Sequence, residues 1–155
     1  MSSETAVRRV SLQQLEHEFA RLLGDLKLLV RALPGEIVYE LPGNGMRTTV
    51  GETVVKSAAV LEQTFGGLTS NLWDDPFEWT LPETLASAEN IIQYLDEVDT
   101  ARRRAFAFLA DDASLTKTVL VPSDGQISVL DLLERTLSNA RSYQSRATQL
   151  SKSFS

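Results

Sequence analysis

The polar residues with the most chemical potential in this chain fall into two rows at helical spacing. Glu52, Lys56, Ala59 and Gln63 share one helical face beside an apolar stripe of Val54, Ala58 and Leu61. Leu132, Thr136, Asn139 and Tyr143 form a second row beside Leu133, Leu137 and Ala140. Placed on neighbouring helices, the two rows would face each other across a cleft. Lys56 also has a plainer role available, a surface pair with Glu52 one turn earlier, worth about 0.3–0.5 kcal/mol. Other chemistries lack the residues they need. With no cysteine and a single histidine, His17, the chain has no thiol nucleophile, no cysteine-based metal site and no multi-histidine site of its own. There is no HExxH, no glycine-rich phosphate loop and no Ser-His-Asp arrangement beyond the lone His17. Glu52 and Asp131 sit in helix-capping positions, which accounts for both without catalysis.

The chain has 155 residues, 15 Lys/Arg and 21 Asp/Glu, for a formal net charge of −6. A single core can form at this length without disulfides or metal, and the acidic balance argues against nucleic acid as a partner. The run Arg102-Arg103-Arg104 lies behind Asp96, Glu97 and Asp99 and reads as a solvated helix face with i,i+4 pairs. His17 falls one position off the Leu15, Phe19 and Leu22 stripe and reads as a surface histidine. No apolar run approaches the roughly 18 residues of a membrane span. The first ten residues lack a signal peptide's apolar region, so a cytoplasmic protein with no membrane partner is expected.

Four amphipathic helices must position these residues. The first runs from Ser11, in a capping box with Gln14, to about Leu33, where Pro34-Gly35 stops it. The turn-rich stretch 36–48 forms a crossing loop. The second helix starts at the capping box Thr49–Glu52 and runs to about Trp73, with Gly66-Gly67 marking a kink, a break or a close backbone crossing. Trp73, Phe77 and Trp79 lie in a proline-bearing linker and either cap the bundle end, rim a pocket or contact a second copy. A third capping box, Thr80–Glu83, opens the long third helix, which ends at Asp111-Asp112. Residues 116–127 are compatible with a short hairpin around Asp124-Gly125 or with an irregular loop. Ser128, with Asp131 three residues on, caps the fourth helix, which fades near Leu150. The expected architecture is an all-α four-helix bundle with long connections after helices 1 and 3. Residues 1–10 form a flexible lead segment, 11–150 one domain and 151–155 a tail.

The segment TVGETVVKSAA (Thr49–Ala59) resembles the start of the second helix in the DinB/YfiT-like superfamily. WTLPETLASAENIIQYLDEVDTARRR (Trp79–Arg104) is similar to that family's third-helix region, and the likeness continues through LDLLERTLSNARSYQSRATQL in helix 4. The resemblance implies a four-helix bundle with crossover connections, often a homodimer, and a divalent metal on three histidines. One ligand lies on helix 2 and a pair four residues apart lies on helix 4. It also implies transferase chemistry on low-molecular-weight thiols in members of known activity. Aligned onto this chain, the three ligand positions hold Lys56, Asn139 and Tyr143. The expectation is therefore a metal-free member that binds a small ligand or a protein at the degenerate site formed by Lys56, Asn139, Tyr143 and Glu52, with no cofactor and no assigned catalytic residue. The alternative is a thiol transferase, metal-free or with a different metal site.

Overall fold

A computed structural model describes residues 10–43, 45–74 and 87–154, apart from the side chains of 35 and 36. Four helices carry the fold: α1 (Leu12–Ala32), α2 (Val50–Ser70), α3 (Ala88–Leu109) and α4 (Val129–Ser151). A single-turn 3₁₀ helix (Gly35–Tyr39) follows α1 and another (Asp112–Thr116) follows α3. An antiparallel hairpin of β1 (Thr118–Val121) and β2 (Gly125–Ser128) then leads into α4. The all-α four-helix expectation holds, and no described helix is long and apolar enough to cross a membrane.

Local chemistry sets the helix starts. The Ser11 hydroxyl accepts from the Gln14 amide at 3.0 Å while the Gln14 side chain accepts from the Ser11 amide at 3.2 Å, the reciprocal box expected from sequence. Thr49 and Ser128 cap α2 and α4, accepting from the amides of Glu52 and Asp131. α3 starts at Ala88 rather than at the expected Thr80–Glu83 box, because Ser87 is extended and its hydroxyl caps the helix by accepting from the Asn90 amide; the Thr80–Glu83 box itself lies outside the described residues, as do Phe77, Trp79 and residues 1–9. Between the strands, the Asp124 amide returns to the Val121 carbonyl at 3.0 Å, with Pro122 at the second turn position and Gly125 at φ +72°. That is a type I turn followed by a left-handed glycine, so Pro122 sits in the turn rather than in a strand. At the C-terminal end of the described residues α4 includes Ser151, and Lys152–Phe154 add a 3₁₀ turn.

The helix order in space follows from side-chain contacts. α1 packs on α3 and α4, and α2 packs on the same two, so the pairs α1/α2 and α3/α4 are diagonals. Ion pairs Arg102–Glu16 (2.7 Å) and Lys27–Asp96 (2.5 Å) run α3 antiparallel to α1. Arg141–Glu18 (2.7 Å) and Gln144–Asp25 (3.5 Å) run α4 parallel to α1. Ser57 on Ala140 and Thr64 on Thr136 run α2 antiparallel to α4. The bundle is thus up-down-down-up, and the expected long connections after α1 and α3 both join diagonal helices. The end of α2 and the start of α3 lie at opposite ends of the bundle. At its centre Phe19, Phe65 and Phe106, from three helices, meet ring to ring at 5.4–6.1 Å.

One surface reading is overturned. Arg102 is not solvated but 8% exposed, its guanidinium held by Asp99 at 2.9 Å and by Glu16 at 2.7 Å across the α1–α3 interface. The reason is periodicity: Arg102 is four residues from both Val98 and Phe106, which are buried. Arg103 keeps the expected i,i+4 pair with Asp99, and Arg104 is exposed.

Candidate functional site

The α2–α4 seam is the most extensive helix contact in the fold, and it is polar where a simple bundle would be apolar. Thr53, Ser57 and Thr64 are buried along α2, with Thr136 opposite on α4. The Ser57 hydroxyl donates to the Ala140 carbonyl at 2.7 Å, and the Thr64 and Thr136 hydroxyls meet at 2.7 Å. Thr53 bonds back to the Thr49 carbonyl, so among the described residues no buried side-chain polar atom lacks a partner. Small side chains at these positions let the helices approach closely, and the hydroxyls fill the interface with satisfied bonds.

Two of these residues, Thr64 and Thr136, also line a cleft. A cavity of about 360 Å³ opens where α2, α4 and the hairpin meet. Thr64 and Thr136 line its base, Val60, Leu132, Val121, Pro122 and the Trp73 ring give it apolar walls, and Gln63, Asn139, Arg135 and Asp124 supply polar groups. Trp73 is held in place from both ends. Its indole N–H donates to Asn71 at 2.9 Å, and its carbonyl accepts from the Gln63 amide group at 2.8 Å. Gly67 makes room for it, because a Cβ there would fall on the indole ring. The Gly66-Gly67 pair therefore marks a close crossing, with α2 continuing to Ser70 and ending on Asn71 in the left-handed conformation, short of the expected Trp73. Among the expected roles for Trp73, the one observed is the rim of a pocket.

The sequence-derived candidates are split by the structure. Asn139 is exposed and lines this cleft. Lys56 and Tyr143 are half-buried and are not among its lining residues. In the antiparallel register fixed by Ser57–Ala140 and Thr64–Thr136, Lys56 is level with Tyr143 and Val60 with Asn139. Lys56 and Tyr143 thus continue the same flank of the seam one turn from the cleft. Glu52 lies a further turn away, near Tyr39, whose hydroxyl is pushed up to about 12 by burial and then by the Glu52 charge. The expected row Leu132–Thr136–Asn139–Tyr143 diverges in burial. Leu132 and Thr136 are buried in the seam, whereas Asn139 faces solvent, because α2 packs on the near side of the row. The Thr53–Ser57–Thr64 line escaped the sequence reading. Its signal was the four- and seven-residue spacing of small hydroxyl residues along the same stripe as Leu61 and Leu68.

Lys56, Asn139 and Tyr143 do not suit a first-row metal. They offer an ammonium, a carboxamide and a phenol, and no group of three His, Cys, Asp or Glu among the described residues is placed to hold a metal ion. A second, more open groove of about 840 Å³ lies between α1 and α4. His17, Glu18, Arg21, Glu134 and Arg141 line it, with Arg141 and Glu18 paired across it. His17 is exposed there, as expected.

The Thr64–Thr136 bond is open to a double-mutant test. Thr64→Val leaves the Thr136 hydroxyl buried without its partner and is expected to cost about 1–3 kcal/mol in urea denaturation. Adding Thr136→Val removes the orphan and should recover most of the loss; a double variant at least as unstable as the single would show that the bond is not what the floor depends on.

Compared with known protein families and with curated proteins, the chain matches no family model and no curated protein.

Proposed function

We propose that this chain is a metal-free bundle of DinB/YfiT-like type that binds a small polar ligand in the cleft between α2, α4 and the hairpin. The observation that carries this reading is the position of Asn139. It is one of the three aligned ligand positions, and it lines a cavity with a hydroxyl floor and apolar walls. Such a lining, apolar with a few convergent polar groups, is the usual composition of a small-molecule site, and about 360 Å³ falls within the customary size range. The placement of both diagonal pairs after long connections supports the family resemblance, which implies a crossover bundle. The α1–α4 groove is the weaker candidate, because none of the three aligned ligand positions lines it.

Screening small polar compounds by ¹H–¹⁵N NMR tests the reading. Binders are expected to shift the amides of Thr136 and Asn139 and the indole N–H of Trp73. Asn139→Leu, at an exposed position, should weaken them about tenfold with little change in melting temperature. Shifts confined to His17 and Arg21 would move the site to the α1–α4 groove and overturn the proposal. Elemental analysis of the purified protein is expected to find no stoichiometric nickel, zinc, manganese or iron, and a bound metal would favour the transferase alternative.

A further inference from the structure

The cleft has one cation and one anion among its described lining residues, and they are paired with each other. Arg135 Nη1 lies 3.1 Å from Asp124 Oδ2, joining α4 to the tip of the hairpin turn across the cavity. Asp124 also accepts from the Ser123 hydroxyl at 3.1 Å. Both carboxylate and guanidinium remain substantially exposed, at 39% and 51% of their side-chain surface. Pairs this accessible contribute little to stability, so the contact is easily exchanged for another. Arg135 and Asn139 are one helical turn apart on the same face of α4, and both line the cavity. A guanidinium and a carboxamide N–H side by side can hold the two oxygens of one carboxylate.

Resting on the reading that this cleft binds a small molecule, we infer that its ligand is a monocarboxylate with an apolar body, and that the ligand displaces Asp124 from Arg135. The side chain of Asp124 is itself the template: a carboxylate already occupies the position the ligand would take. A single guanidinium balances one negative charge, so a phosphate dianion would be left half-compensated beside Asp124. Trp73, Pro122, Val60 and Leu132 give the apolar body a flat wall and a floor edge. No bond is made or broken. The Asp124 side chain turns to water and the hairpin backbone, held by the Asp124–Val121 bond, keeps its register.

The test uses benzoate, with benzamide as its uncharged isostere and phenyl phosphate as the competing anion, titrated by NMR into the full chain and two variants. Benzoate is expected to bind at Asn139 and Trp73 and to outcompete the other two. Asp124→Asn removes the internal competitor and should tighten benzoate about two- to fivefold. Arg135→Gln should weaken it about tenfold or more. Both positions are exposed, and unchanged melting curves will verify folding. Equal binding of benzamide in the cleft would sink the carboxylate inference while leaving the small-molecule site standing. Tighter binding of phenyl phosphate would replace the carboxylate with a phosphate. Unaltered benzoate affinity in Asp124→Asn would overturn the displacement, and failure of all three probes to shift any cleft residue would count against both the inference and the site beneath it.

Discussion

Phe19→Ala is expected to destabilise the protein by about 3–5 kcal/mol, a large part of the roughly 5–15 kcal/mol that holds a domain folded. Phe19 is fully buried, and its ring lies edge-on to Phe65 at 5.4 Å and tilted to Phe106 at 5.9 Å. These rings come from α1, α2 and α3. The Phe19–Phe65 contact spans the diagonal, where α1 and α2 otherwise have little contact. Truncation therefore removes apolar burial and two aromatic contacts at a point that no neighbouring side chain can fill without moving a helix. Chemical denaturation of the variant measures the loss. A change below about 1 kcal/mol would mean that the three rings do not form the keystone of the core.

Gly51→Ala is the second large effect, and it runs against helix propensity. Alanine is favoured over glycine by up to about 1 kcal/mol inside a helix, and by less in the first turn where Gly51 sits. A Cβ at this position, however, would fall on Val38 Cγ1, 2.9 Å from Tyr39 Cε1 and 3.0 Å from the Val38 carbonyl oxygen. Val38 is fully buried, so neither it nor its carbonyl can retreat without lifting the 35–39 turn off α2. Overpacking of this kind costs about 1–3 kcal/mol, and the net expectation is a loss of about 2 kcal/mol. Tyr39 provides an independent readout. Burial and the nearby Glu52 raise its pKa from 10.0 to about 12 in the folded protein. The folded chain therefore holds this proton at pH values where the unfolded chain releases it, and wild-type stability should fall as pH rises from 10 to 12. In Gly51→Ala, ultraviolet titration should find the phenol ionising closer to 10, with that stretch of the pH profile flattened. An unmoved titration with undiminished stability would show that the close approach is not needed.

Much of the fold was legible because it depends on local rules. Ser11, Thr49 and Ser128 cap the helices they precede, and the three-and-four spacing of leucines finds the buried faces of α1 and α4. What could not be read was which faces meet. A helical period says that Thr136 and Asn139 flank a stripe, but only the packing of α2 decides that Thr136 is buried against Thr64 while Asn139 is left in water. The candidate site shifted for the same reason: Asn139 joined a cleft built by the hairpin that precedes α4 and by Trp73, distant in sequence, while Glu52 was drawn to the 35–39 turn. Arg102 failed differently. Its position on the Val98–Phe106 stripe was visible, but a run of three arginines outweighed the period, and the carboxylates of Glu16 and Asp99, which only the packed α1–α3 interface brings to it, are what make the position tolerable.

The up-down-down-up order bears on how the chain reaches its native state. In a simple up-and-down bundle each helix collapses on the one before it, and local hairpins assemble early. Here α1 and α2 are diagonal, as are α3 and α4, so of the consecutive helices only α2 and α3 pack side by side, and the α2–α4 and α1–α3 interfaces join segments far apart in the chain. Residues as far apart as Ser57 and Ala140, or Glu16 and Arg102, must meet before much apolar surface is covered, and the loop entropy falls due first. Folding should accordingly be slower than in an up-and-down bundle of similar length, with the α2–α4 seam as the rate-setting encounter.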